Sequence, residues 1–310
     1  MIPGNSVIRE FEYKIANYCD TKYCLSVCNA TMGILGVFYA LGLSDAEIIA
    51  SPLTWAGAFS GLKMLNCKIK FCDIDTENLT INPGLIEPLI SSKTKAVFSA
   101  DFLGYPARLD RIREICDKHN LLLIHDAASS FGTRYRGQYS GHFADVTVLS
   151  FGAKKIFSIG EGGCILTNNA ILYKRLTKFM MHPFRQNVET FQNNLFALNT
   201  NVNPMAAKFA IEGFDEKVND IKLKQEKVAK WLKQNSMNEA FSLDEPNYYR
   251  IVIIPANLAE GASDFAIDDL PFKNLIYNEP NFYAHKNKTV YSCPLAENAI
   301  NQYKIISVKL

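Results

Sequence analysis

Residues 145–163 read DVTVLSFGAKKIFSIGEGG. The apolar run Asp145–Phe151 has the length and β-branched content of a buried strand, and a glycine-punctuated polar turn separates it from a second apolar run, Gly163–Thr167. The same kind of run recurs upstream at Cys24–Cys28, Glu47–Ala50, Ile69–Cys72, Lys95–Ala100 and Leu121–His125. Helical patterns fill gaps between them at Met32–Leu41, Trp55–Leu65 and Leu109–His119. Strands alternating with helices predict an α/β fold, a mostly parallel sheet covered by helices on both faces. Such sheets gather ligands at the carboxyl ends of their strands, so the residues just after each strand carry the chemistry.

Beyond Leu166 the pattern changes. Tyr173–Met181 reads as a helix, 183–203 is polar and Asn-rich without strong periodicity, and a single long helix is expected from near Met205 to Trp231. Tyr249–Ile254 and Thr289–Ser292 read as strands of a smaller terminal unit. The expected division is a large α/β domain over 1–215 and a small C-terminal domain over 216–310.

The 310 residues are 48% hydrophobic and 21% charged, enough for a substantial core. Their 33 basic and 31 acidic side chains create no global field that would recruit nucleic acid or an anionic membrane, so neither is expected as a partner. Met1–Glu10 lacks a basic start followed by an apolar run, and no stretch approaches the roughly 18 apolar residues of a membrane span. The eight cysteines lie among apolar neighbours in a chain far longer than a disulfide scaffold, which predicts reduced thiols and a cytoplasmic location. Cys19, Cys24 and Cys28 have neither a CxxC pair nor nearby histidines, so no metal site is expected.

Three strand ends stand out. Asn29-Ala30-Thr31 opens directly into a helix, a turn whose free amides and positive dipole end suit a phosphate; taken alone, Asn29 or Thr31 serves equally as a helix cap. No GxxxxGK[ST] or strand-linked GxGxxG accompanies it, so nucleotide triphosphates and dinucleotides lack their usual signature. Asp126 ends the second strand of interest, followed by the small residues Ala127 and Ala128, and places a carboxylate at the ligand edge with room beside it. Ser150 ends the third, and Lys154 and Lys155 follow it. A lysine emerging from a buried region can form a Schiff base with an aldehyde cofactor, although a Lys-Lys pair is otherwise ordinary surface.

These strand ends, in this order, resemble the DegT/StrS family of sugar aminotransferases that use pyridoxal 5'-phosphate (PLP); the likeness covers most of 22–215. It is carried by NATMGILGVFYALG from Asn29, Ser51-Pro52-Leu53-Thr54-Trp55, and Ile74-Asp75 with Thr80-Ile81-Asn82-Pro83. Gly104-Tyr105-Pro106-Ala107 with Asp110, Asp126-Ala127-Ala128 with Gly132, and Ser150 five residues before Lys155, then GEGG, complete it. That five-residue step favours Lys155 over Lys154. The resemblance implies a fold-type-I, aspartate-aminotransferase-like architecture with a shortened C-terminal α+β domain. It also implies that Lys155 holds PLP covalently and shuttles the proton, while Asp126 pairs with the pyridine nitrogen. Trp55 would stack on the ring, and Thr31, Met32 and Ser150 would hold the phosphate. Ser129 would stand near the phenolic oxygen, and Asn201 would reach the phosphate in the other subunit of a homodimer with shared active sites.

The chain departs from the family pattern at Ser129, where Gln is usual, at Asp101, where His is usual, and at Asn201-Val202-Asn203-Pro204, which replaces N-Y-R-M. The expected reaction is transfer of an amino group from an amino acid, by family analogy glutamate, to a keto group of a nucleotide-linked sugar. His182, Arg185 and Arg250 are candidates for substrate anions. A sugar dehydratase, which in this family commonly has His in place of the lysine, another fold-type-I PLP enzyme such as a lyase, and a non-catalytic or regulatory descendant remain the alternatives.

Overall fold

The computed structural model describes residues 5–234, 247, 252–255, 266–269 and 292–307. Its first 234 residues build helices α1 (Asn5–Tyr18), α2 (Ala30–Ala40), α3 (Ala56–Met64), α4 (Leu109–Lys118), α5 (Ala170–Met180), α6 (Pro183–Glu189), α7 (Pro204–Glu212) and α8 (Phe214–Gln234). The strands among them are β1 (Tyr23–Val27), β2 (Glu47–Ala50), β3 (Lys68–Phe71), β4 (Thr94–Ala100), β5 (Leu122–Asp126), the hairpin β6 (Arg134–Tyr135) and β7 (Gln138–Tyr139), β8 (Val146–Ser150) and β9 (Gly163–Thr167). Seven of these strands form one sheet in the order β1-β9-β8-β5-β4-β2-β3. Every neighbouring pair from β8 to β3 is parallel, and β9 alone runs antiparallel to both of its neighbours.

Side chains alternate across this sheet with the two-residue period of a strand. Leu25, Val27, Ile124, Val146, Val148 and Ile165 share one buried cluster with Ile34, Phe38, Leu62 and Leu176 of α2, α3 and α5. Their chain neighbours face the other way: Cys24, Leu149 and Leu166 pack with Phe11, Ile15 and Ala207, and Val97 and Leu123 pack with Leu109 and Ile112 of α4. Both faces are therefore dry, which is why the strands read as continuous apolar runs.

Two expectations after Leu166 are corrected. The single helix from Met205 to Trp231 is two helices, α7 and α8, broken at Gly213, whose amide caps α7 by donating to Phe209 O at 3.2 Å. Glycine has the poorest propensity of any non-proline residue, and the break lets Phe214 turn into the core beside Ala207 and Ala210. Within the stretch read as aperiodic, α6 forms behind Pro183 at its first position, too short at 7 residues to show a helical period.

Farther on, β10 (Val252–Pro255), β11 (Ala266–Asp269) and β12 (Tyr303–Ser307) form an antiparallel sheet in the order β10-β12-β11. Helix α9 (Pro294–Gln302) precedes β12. Asp73 caps α9, its carboxylate accepting the amides of Leu295 and Ala296 at 2.8 Å each, and Ala296 and Ala299 join the core cluster of the large sheet. Of the expected terminal strands, 249–251 and 289–291 lie outside the described residues, as does Arg250.

Candidate active site

At the end of β1 the Asn29 side chain accepts the Met32 amide at 2.9 Å, and the Asn29 carbonyl accepts the Gly33 amide at 3.1 Å, so α2 starts under a side-chain cap. Met32 thus spends its amide on the cap. Ala30 and Thr31, the two residues before it, hold the helix-start amides that this cap does not use. A methyl group on Gly163 would stand 2.6 Å from Leu149 O, 3.0 Å from Ala30 N and 3.1 Å from Asn29 C. Only glycine lets the start of β9 approach that turn so closely. Ser150 pairs with Gly163 across β8 and β9, so the Ser150 strand end, the last glycine of the GEGG turn and the first turn of α2 lie together. A methyl on Gly57 would be 3.2 Å from Thr31 Oγ1, which brings the start of α3 beside the start of α2. Trp55 precedes α3 there with 45% of its surface exposed.

Asp126 ends β5, the strand next to β8. Its carboxylate is buried, accepts the Ala128 amide at 2.9 Å and has no cation in hydrogen-bonding contact among the described residues. Burial pushes its pKa up; the Ala128 amide, the Lys155 charge and His125 pull it back, while Asp101 adds to the rise. Lys155 is half-buried in the turn after β8, with its amide donating to Gly152 O at 2.9 Å, whereas Lys154 is exposed. Of the two adjacent lysines, Lys155 is the one that acts electrostatically on Asp126. A buried carboxylate held near a half-buried lysine, one strand away from a helix-start turn, suits a cofactor that carries a basic ring nitrogen, an aldehyde and a phosphate.

Ser129 is buried, and its hydroxyl donates to Asp101 O at 3.1 Å. Asn201 lines a cleft of about 490 Å³ with Cys28, Glu161, His182, Arg185 and Asn203. Its carboxamide donates to Asn199 Oδ1 at 3.2 Å, and Cys28 N bonds to Thr200 O at 2.6 Å, which ties this loop to the end of β1. His182 caps α6, its Nδ1 accepting the Phe184 amide at 3.2 Å. Asn203 caps α7 by accepting the Met205 amide at 2.8 Å.

Arg185 is not available to a substrate anion. It is 1% exposed, donates to Glu189 Oε1 at 2.8 Å, and pairs with Glu12, whose other oxygen accepts the amide and hydroxyl of Ser26. Arg185→Ala would leave two buried carboxylates without their cation, and denaturant unfolding is expected to report a loss of about 3–5 kcal/mol. A loss under about 1 kcal/mol would contradict this structural role.

Three groups close to this edge have partners that sequence patterns do not show. His125 is fully buried with Nε2 3.0 Å from Asp101 Oδ1; the contact is one of distance rather than direction, since neither ring nitrogen has an aligned hydrogen bond. Asp101 also accepts the Ala107 amide at 2.8 Å. Asn247 is buried against the turn that follows Asp126. A polar residue inside an apolar strand, as at His125, is the one signal available beforehand; its partner is not written nearby.

The α/β sheet sandwiched by helices is the fold of the PLP-dependent transferases. The chain belongs to the DegT/DnrJ/EryC1/StrS aminotransferase family, whose model matches residues 2–244. It is 34% identical over 173 residues to GDP-perosamine synthase of Escherichia coli O157:H7, an alignment covering 56% of this chain and 48% of that protein. The chain therefore spans about half the length of the curated relatives it matches. Among solved structures, DesI in the presence of its TDP-sugar product aligns with a TM-score of 0.80 at 22% identity, over 98% of this chain and 80% of that one. The E. coli GDP-4-keto-6-deoxy-D-mannose-3-dehydratase with bound hydrated PLP aligns with a TM-score of 0.81 at 19% identity, over 97% and 87%. PLP is the cofactor of this family.

Proposed function

We propose that the protein is an aminotransferase that moves an amino group from an amino acid, with glutamate the expected donor, to a keto group of a nucleotide-linked sugar. The observation that carries this reading is half-buried Lys155 in the turn after β8, its charge felt at buried Asp126 on the neighbouring strand. When bound, PLP supplies an electron-withdrawing ring whose aldehyde carbon carries the amino group between the two substrates. Asp126 would hold the proton on the ring nitrogen. Lys155 Nζ would hold the cofactor through its aldehyde carbon and, as a free amine, would carry the proton between the donor's α-carbon and the cofactor. Thr31 and Ser150 would hold the phosphate, and Trp55 would cover one face of the ring. Lys155 also separates this reading from a dehydratase, which needs no covalent lysine.

The active form is proposed to be a homodimer in which Asn201 of each copy reaches the phosphate held by the other. Its support is the apolar surface on and around α6 and α7: Phe184, Phe191, Leu195, Phe196, Met205 and Phe209 are all exposed, Phe191 and Phe196 each at 91%. The division into a large PLP-binding domain, 1–215, and a small C-terminal domain, 216–310, is supported by the separate β10-β12-β11 sheet. Eight cysteines free of disulfides suit a reducing cytoplasm. No helix among the described residues is long and apolar enough to cross a membrane.

Adding PLP to the purified protein is expected to produce a visible absorbance band that glutamate discharges with formation of 2-oxoglutarate. A band that no amino acid discharges would overturn the transfer reaction.

A further inference from the structure

The turn that leaves Asp126 is gripped by a residue more than a hundred positions away. Asn247 is 0% exposed. Its carboxamide nitrogen donates to Ser129 O at 3.1 Å and to Phe131 O at 2.8 Å, one bond from each hydrogen. Its own amide donates to Thr133 Oγ1 at 3.0 Å, and that hydroxyl donates onward to Gly104 O at 2.8 Å. Inside the turn the Ser130 amide bonds to Ala127 O and the Thr133 amide to Ser130 O. Ser129 hangs from the same turn with its hydroxyl on Asp101 O, and the Asp101 amide returns to Asp126 O at 3.0 Å. The network closes on the strand end that presents the carboxylate.

We propose that Asn247 is a positioning residue for cofactor binding: by holding the carbonyls of Ser129 and Phe131 it fixes the path of the turn after Asp126 and hence the aim of that carboxylate. The proposal rests on the reading of Asp126 as the partner of the ring nitrogen. Two carbonyls converging on one buried nitrogen demand a double donor. A carboxylate of the same size offers none and would face both carbonyl oxygens with negative charge.

The test compares the full-length wild type with Asn247→Asp and, as a milder variant that removes only the hydroxyl link, Thr133→Val. Three readouts are taken: PLP dissociation constant, pH titration of the visible band, and amide hydrogen exchange at Ser130 and Thr133 without cofactor. Asn247→Asp is expected to weaken PLP binding about tenfold or more at neutral pH, a loss of about 1.4 kcal/mol, and to move the band's titration midpoint. The ratio of variant to wild-type constants should narrow as pH falls and the introduced carboxyl regains a donor proton. Thr133→Val should give a smaller loss of the same sign, about threefold. It decides the matter if Asn247→Asp does not fold. Equal PLP affinity and titration in folded variants that merely melt earlier would overturn the proposal. If the wild type takes up no PLP, the proposed function falls. Faster exchange at Ser130 and Thr133 in the variants would then still support the grip, and unchanged exchange would overturn it.

Discussion

Lys155→Ala is expected to abolish the visible band of the PLP-loaded protein and to reduce amino transfer at least about a thousandfold, because one side chain both anchors the cofactor and moves the proton. Lys154→Ala is expected to leave the band and the rate within about twofold of wild type, since Lys154 is exposed. The contrast follows from position. Both lysines occupy the turn after β8, but Lys155 is half-buried and its charge is felt at Asp126 on the neighbouring strand. Absorbance spectra of the two variants with added PLP, followed by single-turnover reaction with glutamate, check the prediction. A band that survives in Lys155→Ala and disappears in Lys154→Ala would move the anchor to the other lysine.

Asp126→Asn is expected to act in opposite directions on catalysis and stability. Transfer should fall roughly a hundredfold or more, the usual cost of removing a preorganised charge at a reacting centre. The cofactor-free protein should nevertheless melt higher at neutral pH. Burial raises the Asp126 pKa above its unfolded value, so the folded state keeps the proton to higher pH than the unfolded chain does. The stability this contributes is complete below the unfolded carboxylate range and is lost as pH rises through the raised folded value. At neutral pH the folded apo protein therefore bears a cost at this carboxyl that the unfolded chain does not, and asparagine removes it. Melting curves across pH should separate variant from wild type near pH 7 and converge below about pH 4. Added PLP should stabilise wild type more than the variant. A variant that melts lower at neutral pH and binds PLP as tightly as wild type would contradict this assignment of Asp126.

The order of strands and helices was legible because both faces of the sheet are buried, so each strand is a nearly continuous apolar run. The expected strands from Cys24 to Thr167 agree with β1–β5, β8 and β9 to within a residue at either end. What failed was local and cheap in sequence terms. One glycine at 213 divides a pattern that is otherwise periodic across it, and the seven-residue α6 is too short for a period to register. In the site, Thr31, Asp126, Ser150 and Lys155 announce themselves as strand-end or helix-start residues. Asn247 and the His125–Asp101 pair do not, since each depends on a partner from a distant part of the chain.

By itself the sequence determined the α/β class and the strand ends at which ligand chemistry gathers, and the family resemblance implied Lys155 through its five-residue step from Ser150. These are local properties: periodicity, turn residues and spacing act over a few residues. Only the tertiary structure decided that β5 lies beside β8, which brings the Lys155 charge to bear on Asp126. It also decided that Arg185 is committed to Glu12 and Glu189, and that Asn247 closes on the turn after Asp126. Burial and charge pairing depend on which distant segments become neighbours, and that is a property of the packed chain.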